Sequence, residues 1–288
     1  MIRRTAVGLL VTVAWIAGPS AIAQLSSKSD FVPHVGQPGK DVVWVPTPEA
    51  VVDRMLSMTK VTPNDFVVDL GSGDGRTVIA AAKKFGARAQ GIEFNPDMVA
   101  LANRNAQAAG LGGKVKFIHG DIFALDWADA SVVTMYLLPE LNLRLRPRLL
   151  EMRPGTRLAS HQFSMSDWDA DERVEVGGRL AFMWIVPARV GGLWTLSHSA
   201  GNGTASHDVT ISQSFQKISG VAQQGGYSTA LEDARLRGAD IVFSFVDRTG
   251  VRRRYVGRVS DDKMEGALDS GKVAEMRWIA KRKNGSAG

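Results

Sequence analysis

From Phe66 to His161 the apolar positions switch repeatedly between two periods. Short runs of strand-forming residues stand at Phe66 to Leu70, Ala87 to Glu93, Lys114 to His119, Ser131 to Tyr136 and Thr156 to His161. Stretches with a helical repeat lie between them, at Thr77 to Lys84, Met98 to Gly110 and Leu141 to Met152. Alternation of this kind predicts a mostly parallel α/β sheet with helices on both faces, and right-handed crossovers put the loops after the strands on one edge. An earlier helix is expected behind Thr47-Pro48-Glu49, which reads as an N-cap, a proline at the first helical position and an acid suited to the helix dipole. Within it Val51 and Met55, and Val52 and Leu56, stack at i, i+4 to form one apolar face. Leu180 to Pro187 and Leu193 to Ser197 read as an antiparallel edge pair completing the sheet.

After Gly191-Gly192 the helical period disappears. Asp208 to Ile211, Thr229 to Leu236, Asp240 to Asp247, Val251 to Val259 and Met276 to Lys281 are short alternating runs separated by Gly, Asp and Ser. They predict a small all-β domain with barrel-like closure. His198 and His207, on either side of a Gly/Ser/Asn loop, are expected at the surface rather than as metal ligands, and no metal site is expected anywhere.

The N-terminus has its own pattern. Met1-Ile2-Arg3-Arg4 is basic, Ala6 to Ala17 is uncharged and apolar, and Ala21-Ile22-Ala23 supplies small residues. That is the layout of a secretory signal cleaved after Ala23, and the apolar run is short for a bilayer span of about 20 residues. An uncleaved membrane anchor, or a cytoplasmic chain, is the alternative. The expected division is therefore a signal at 1–23, a linker at 24–44, an α/β domain at 45–188, a β-rich domain at 189–283 and a tail at 284–288.

Composition narrows the chemistry. The 288 residues contain no cysteine, so disulfides, thiolate nucleophiles and cysteine metal sites are excluded. The net charge of +6 is spread along the chain, giving only a mild pull toward acidic partners or a transient association with membrane headgroups. Without a finger spacing, an RNA-binding aromatic motif or a long basic helix, no nucleic-acid partner is expected.

The turn after the first strand, Asp69-Leu70-Gly71-Ser72-Gly73-Asp74-Gly75-Arg76, carries three glycines at alternate positions. Strand, glycine turn and helix together are the common basis of a nucleotide-type cofactor site. The late glycine of the dinucleotide fingerprint is missing, and no Lys-Ser/Thr follows, which excludes a P-loop. An acid as close as Asp69 repels a pyrophosphate but suits an ammonium, which points to S-adenosyl-L-methionine. Backbone N–H groups of the turn are expected to face its carboxylate. Glu93, at the end of the second strand, can accept from both ribose hydroxyls, or it caps the helix that begins at Asn95-Pro96. Asp121, after the third strand, can accept from the adenine amino group with Ile122 against the ring, or it is a turn acid.

From Val45 to Pro187 the chain resembles the class I S-adenosylmethionine-dependent methyltransferases, whose Rossmann-like sheet has seven strands. Val45-Pro46-Thr47-Pro48, the glycine turn, Gly91-Ile92-Glu93-Phe94-Asn95-Pro96 and Phe163-Ser164-Met165-Ser166-Asp167-Trp168 are similar to one family in particular. It comprises the mitochondrial protein-lysine methyltransferases acting on the c-ring protein of ATP synthase and on the ADP/ATP carrier, with their prokaryotic relatives. The resemblance implies cofactor contacts at Asp69, Gly71, Gly73, Gly75, Glu93 and Asp121, beside the Ile122 contact read above. It also implies an amine-bearing methyl acceptor, protein or small molecule. The β-rich region has no counterpart in the mitochondrial members.

Methyl transfer is chiefly positioning of a nucleophile in line with the sulfonium methyl, so the acceptor is expected at the loops after the fourth and fifth strands. There Glu140 is a candidate to orient a cationic acceptor. Tyr136 and Trp168 can form walls facing a cation or can simply pack, and His161 can act as a base or end its strand as a satisfied histidine. Asp167, Asp169, Asp171 and Glu172 form an acidic run that either meets a basic substrate or is a solvated face. Two other readings stay open: an O-methyltransferase with a closed apolar pocket, and an exported binding protein that keeps the fold without turnover.

Overall fold

The protein is described by a computed structural model, which covers residues 31–200, 203–269 and 276–283. Met1 to Ala23, with the expected export signal, lies outside the described residues. By its internal contacts the chain divides into Met1–Val32, of which only Phe31 and Val32 are described, and Pro33–Gly288, to which everything below refers.

The first sheet follows the sequence pattern closely. In chain order the elements are α1 (Glu49–Met58), β1 (Phe66–Leu70), α2 (Arg76–Phe85), β2 (Arg88–Glu93), α3 (Pro96–Ala108), β3 (Val115–His119), β4 (Val132–Met135), α4 (Pro139–Leu150), β5 (Arg157–His161), β6 (Glu172–Val176) and β7 (Arg179–Ile185). The seven strands lie in the order β3-β2-β1-β4-β5-β7-β6. The first five are parallel, while β7 runs antiparallel to both β5 and β6. Alternate residues of β1 serve opposite faces. Val67 packs with Val52, Leu56, Val78 and Ala102 from α1, α2 and α3. Val68 and Leu70 pack with Leu145 and Leu149 of α4.

The edge pair differs from the sequence expectation. Leu180 to Pro187 is largely β7, but its partner is Glu172–Val176, joined to it through Gly177 and Gly178 at φ 56° and 75°. Leu193 to Ser197 instead belongs to β8 (Gly192–Ala200), the first strand of the second sheet. Arg173 to Val176 alternates charged and apolar residues, as an exposed edge strand does, but the run is too short, behind the charged Glu172, to stand out.

The second sheet holds nine antiparallel strands. After β8 come β9 (Gly203–Ser214), β10 (Lys217–Gln224), β11 (Tyr227–Ala230), β12 (Glu232–Arg237), β13 (Asp240–Val246), β14 (Arg252–Ser260), β15 (Lys263–Asp269) and β16 (Met276–Arg282). Their order, β11-β10-β9-β8-β16-β15-β14-β13-β12, curls into a nearly closed barrel, with β10 against β12 and β11 against β13. Trp194, Trp278, Phe243, Phe245 and Tyr255 fill its core. His198 and His207 are not at the surface: both are buried in the barrel, their rings stacked 5.6 Å apart.

The two sheets share a contact at the tip of the β9–β10 hairpin. Phe215 stacks on Trp168 at 5.7 Å, Gln216 Nε2 donates to the Asp169 carbonyl at 2.7 Å, and Lys217 pairs with the Asp169 carboxylate. Phe215→Ala should cost about 1–3 kcal/mol, below the figure for a fully buried ring, and lower Tm by roughly 2–10 °C. Scanning calorimetry should show one shifted transition. Two separated transitions already in the wild type would mean that this contact does not couple the sheets.

Candidate functional site

A cavity of about 530 Å³ opens at the carboxyl ends of β1 to β4, where the glycine turn meets the loops that follow β2, β3 and β4. Asp69, Gly71, Gly73, Glu93, Asp121 and Ile122 all line it, so the sequence-derived cofactor residues converge on one space. Gly75 does not. It stands at φ 83° just before α2, and a Cβ there would lie 2.6 Å from Phe117 Cζ. Its role is to let the turn pack tightly on β3 and α3.

The turn works differently from the expectation that its amides face the cofactor. The N–H groups of Gly71 and Ser72 both donate to the Ile92 carbonyl, at 2.9 and 3.0 Å. Gly75 N–H donates to the Ser72 carbonyl at 2.9 Å, and Gly73 N–H to Glu93 Oε2 at 2.9 Å. These amides hold the turn's own shape. What the glycines provide is positive φ and bare surface: Gly71 and Gly73 stand at φ 76° and 53°, facing Leu137 and Trp44.

Glu93 is fixed on both oxygens, because Asn95 N–H donates to Oε1 at 2.9 Å while Gly73 holds Oε2. Each oxygen keeps a lone pair for a hydroxyl donor, so the two readings of this acid are compatible. The helix cap itself is Asn95, whose Oδ1 accepts from Asp97 N–H.

Asp69 is buried beneath the turn, its Oδ1 accepting from Thr134 Oγ1 at 2.6 Å. Burial pushes its pKa up to about 7, against the opposing hydrogen bonds of Thr134 and Thr77 and with smaller help from Asp74 and Glu93. A buried carboxyl that meets no cation among the described residues is the environment that the ammonium of S-adenosylmethionine would complete. With the Glu93 oxygens and the bare glycine surface, these residues fit that cofactor. Asp69 would hold its amino group, Glu93 its ribose, and Asp121 with Ile122 its adenine. The bound cofactor would supply the electrophilic sulfonium methyl.

Asp121 brings in a segment read from sequence as linker. Its Oδ1 accepts from Phe123 N–H at 2.9 Å, and its Oδ2 pairs with Lys40 Nζ at 2.6 Å, a contact that holds the carboxyl below its usual range. Lys40 also lies 4.8 Å from the centre of the Phe94 ring. From Gly36 to Trp44 the chain is a small hairpin, with Gly36 N–H donating to Trp44 O, Trp44 N–H to Gln37 O and Gly39 N–H to Val42 O. Gln37 to Thr47 form one wall of the cavity. The Ser/Gly/Pro composition conceals this wall, since a hairpin this short has too few apolar positions to show a period. Trp44, the lone large aromatic of that stretch, was the available signal.

At the opposite end the cavity is lined by Tyr136, Leu137, Leu138, Leu141 and Phe163. Tyr136 and Phe163 have rings 6.2 Å apart and close to parallel. Tyr136 is thus placed as a wall, and Phe163 takes the part expected of Trp168. Trp168 is fully buried between Trp184 and Phe215, away from the cavity, and its carbonyl accepts from Trp184 Nε1. Glu140 is exposed in the first turn of α4 and does not line the cavity; Pro139 starts the helix there, and the acid complements its dipole. His161 is buried behind Tyr136, with ring centres 3.9 Å apart, and its Nδ1 meets Thr47 Oγ1 at 3.1 Å. Burial and Arg179 push its pKa down to about 4, so it is neutral and braces Tyr136 and Thr47. Thr47 therefore spends its hydroxyl on His161 rather than on capping α1. The acidic run is committed within the chain: Asp167 pairs with Arg146, Asp169 with Lys217 and Glu172 with Arg54, while Asp171 accepts from Ile185 N–H.

Comparison with known proteins agrees with this geometry. A family model described as the ANTKMT methyltransferase domain matches residues 69–172. A protein-lysine N-methyltransferase of Saccharolobus islandicus is 43% identical over 148 residues, which are 51% of this chain and 88% of that protein. The adenine nucleotide translocase lysine N-methyltransferase of Mus musculus is 33% identical over 48% of this chain, which spans little more than half (56%) of that relative's length. Among solved structures, an RNA methyltransferase from Salinibacter ruber in complex with S-adenosyl-L-homocysteine is 48% identical, with a TM-score of 0.50. The match covers 51% of this chain and 96% of that one.

Proposed function

Since the chain belongs to the class I S-adenosylmethionine-dependent methyltransferases, in the family of the protein-lysine N-methyltransferases, we propose that this enzyme methylates the side-chain amine of a protein lysine. The observation that carries the reading is the acceptor end of the cavity, with Tyr136 and Phe163 beside Leu137, Leu138 and Leu141. A lysine side chain is four methylenes ending in a cation. Apolar walls suit its stem, and an aromatic face suits the ammonium and its methylated products. The same apolar lining also favours a small phenolic O-acceptor as a second reading.

Transfer of labelled methyl from S-adenosylmethionine separates these readings. The purified enzyme is incubated with unmodified cell protein, with total RNA and with a small-molecule extract, and each fraction is hydrolysed. Label in methyl-lysine is the expected result. Label confined to nucleosides or to phenolic ethers would overturn the lysine reading, and with it the expectation of no nucleic-acid partner. We also place the mature enzyme outside the cytoplasm, because Met1 to Ala23 has the layout of a cleaved signal. N-terminal sequencing from fractionated cells should find Gln24 first, and a cytoplasmic chain beginning at Met1 would refute export.

A further inference from the structure

Four of the turn's amides are already engaged and cannot serve the cofactor's carboxylate. Those of Gly71, Ser72, Gly73 and Gly75 are bonded inside the fold, and the Arg76 guanidinium is spread over both Asp74 oxygens and the Thr47 carbonyl. A methionine carboxylate bound beside the turn needs hydrogen-bond donors beyond these four amides. Trp44 lines the same cavity, and its Nε1 stands 2.7 Å from where a Cβ on Gly73 would be, so the N–H edge of the indole lies against the turn. Among the described residues that Nε1 meets no hydrogen-bond acceptor. The hairpin carrying Trp44 is tied down at both ends of the cavity. Lys40 holds it to Asp121 and Phe94 on the adenine side, and Thr47 holds it through His161 and Arg76 on the other.

We propose that the Gln37–Thr47 hairpin is a cofactor-binding element, in which Trp44 Nε1–H donates to the methionine carboxylate of S-adenosylmethionine and Lys40 fastens the hairpin across the adenosine by its pairing with Asp121. The carboxylate is the one ligand group whose removal should make Trp44 indifferent, whereas Lys40 acts at the adenosine end and serves every adenosine ligand. The assignment rests on the cofactor reading of the site and is independent of the methyl acceptor.

Titration calorimetry with three ligands tests it: S-adenosylhomocysteine, decarboxylated S-adenosylmethionine and 5′-methylthioadenosine, which lacks the amino-acid portion altogether. Trp44→Phe keeps a ring and removes the N–H. It should weaken S-adenosylhomocysteine about tenfold or more, the effect of losing a bond to a charged group, and leave the other two within about twofold. Methylthioadenosine binding also reports that the variant's site is folded. Lys40→Ala should weaken all three about three- to tenfold, as expected for a partly exposed ion pair with a cation–π contact, and Lys40→Arg should restore them. Equal weakening of all three ligands by Trp44→Phe would reduce Trp44 to packing and overturn its assignment. So would wild-type protein that binds S-adenosylmethionine and its decarboxylated form equally well, a measurement that needs no variant. Tighter binding by Lys40→Ala would show that Lys40 competes with adenine for Asp121, overturning the fastening role.

Discussion

Glu93→Ala should weaken S-adenosylmethionine binding by roughly 2–4 kcal/mol, about thirty- to a thousandfold. The size of the effect follows from the double duty of the carboxylate. Each oxygen accepts one backbone N–H, from Gly73 or Asn95, and each keeps acceptor capacity for a ribose hydroxyl. Alanine removes both ribose acceptors and releases the Gly73 amide that holds the middle of the turn. Because 5′-methylthioadenosine keeps the ribose, it should lose affinity in parallel, unlike its indifference to Trp44→Phe. Calorimetric titration measures both, and a thermal melt separates binding loss from unfolding. Equal affinities for wild type and variant would leave Glu93 with the turn alone.

The cofactor half of this site was legible in the sequence because it lies where strands end. A strand followed by a glycine turn and two further strands ending near acids put Asp69, Glu93 and Asp121 on one sheet edge, and the parallel register then brings them together: Asp69 is level with Gly91, and Glu93 with His119. Chain order alone carries that much. The acceptor half depends on which way side chains turn after the strand has ended, and there only Tyr136 stands as a wall while His161 takes its alternative, satisfied role. Trp168, open between wall and packing residue, packs into the core, because the loop after β5 is pinned by Asn142 and Arg146 of α4 and covered by Phe215 from the barrel, more than forty residues later in the chain. Glu140 lies four residues beyond Tyr136, and the start of α4 at Pro139 turned it to solvent. The Gln37–Thr47 wall was missed for a third reason: it owes its place to the Lys40–Asp121 pair and to Trp44 lying against Gly73, and neither contact leaves a local period. In the second sheet, β10 and β15 were overlooked because the glycines Gly220 and Gly266 interrupt their alternation. Both are required there, since a Cβ would meet the facing carbonyl of Thr210 at 2.1 Å or of Val256 at 2.0 Å.

Cofactor affinity should fall steeply with acid, through Asp69. Its carboxyl in the cofactor-free protein titrates at about 7, chiefly because burial disfavours the charge. Only the ionised form can pair with the cofactor's ammonium, so below that pH binding must first expel a proton. Each further pH unit then costs about a factor of ten, or roughly a hundredfold between pH 7 and pH 5, with little change above pH 8. Asp121 cannot supply this dependence, since Lys40 holds its pKa below the ordinary carboxylate range. The sign for folding is the reverse of that for binding. A native carboxyl raised from 3.8 to about 7 holds a proton that the unfolded chain has lost, so this residue's contribution to stability declines as pH rises from about 4 to 7. The cofactor's ammonium restores it. Calorimetry from pH 5 to 8.5, in two buffers of different ionisation enthalpy, should find one proton released on binding at the acid end and none at the alkaline end. Asp69→Asn should bind more weakly at neutral pH and lose the pH dependence. A wild-type affinity that stayed flat down to pH 5 would mean that Asp69 is already ionised without its cation, and that the ammonium is held by another group.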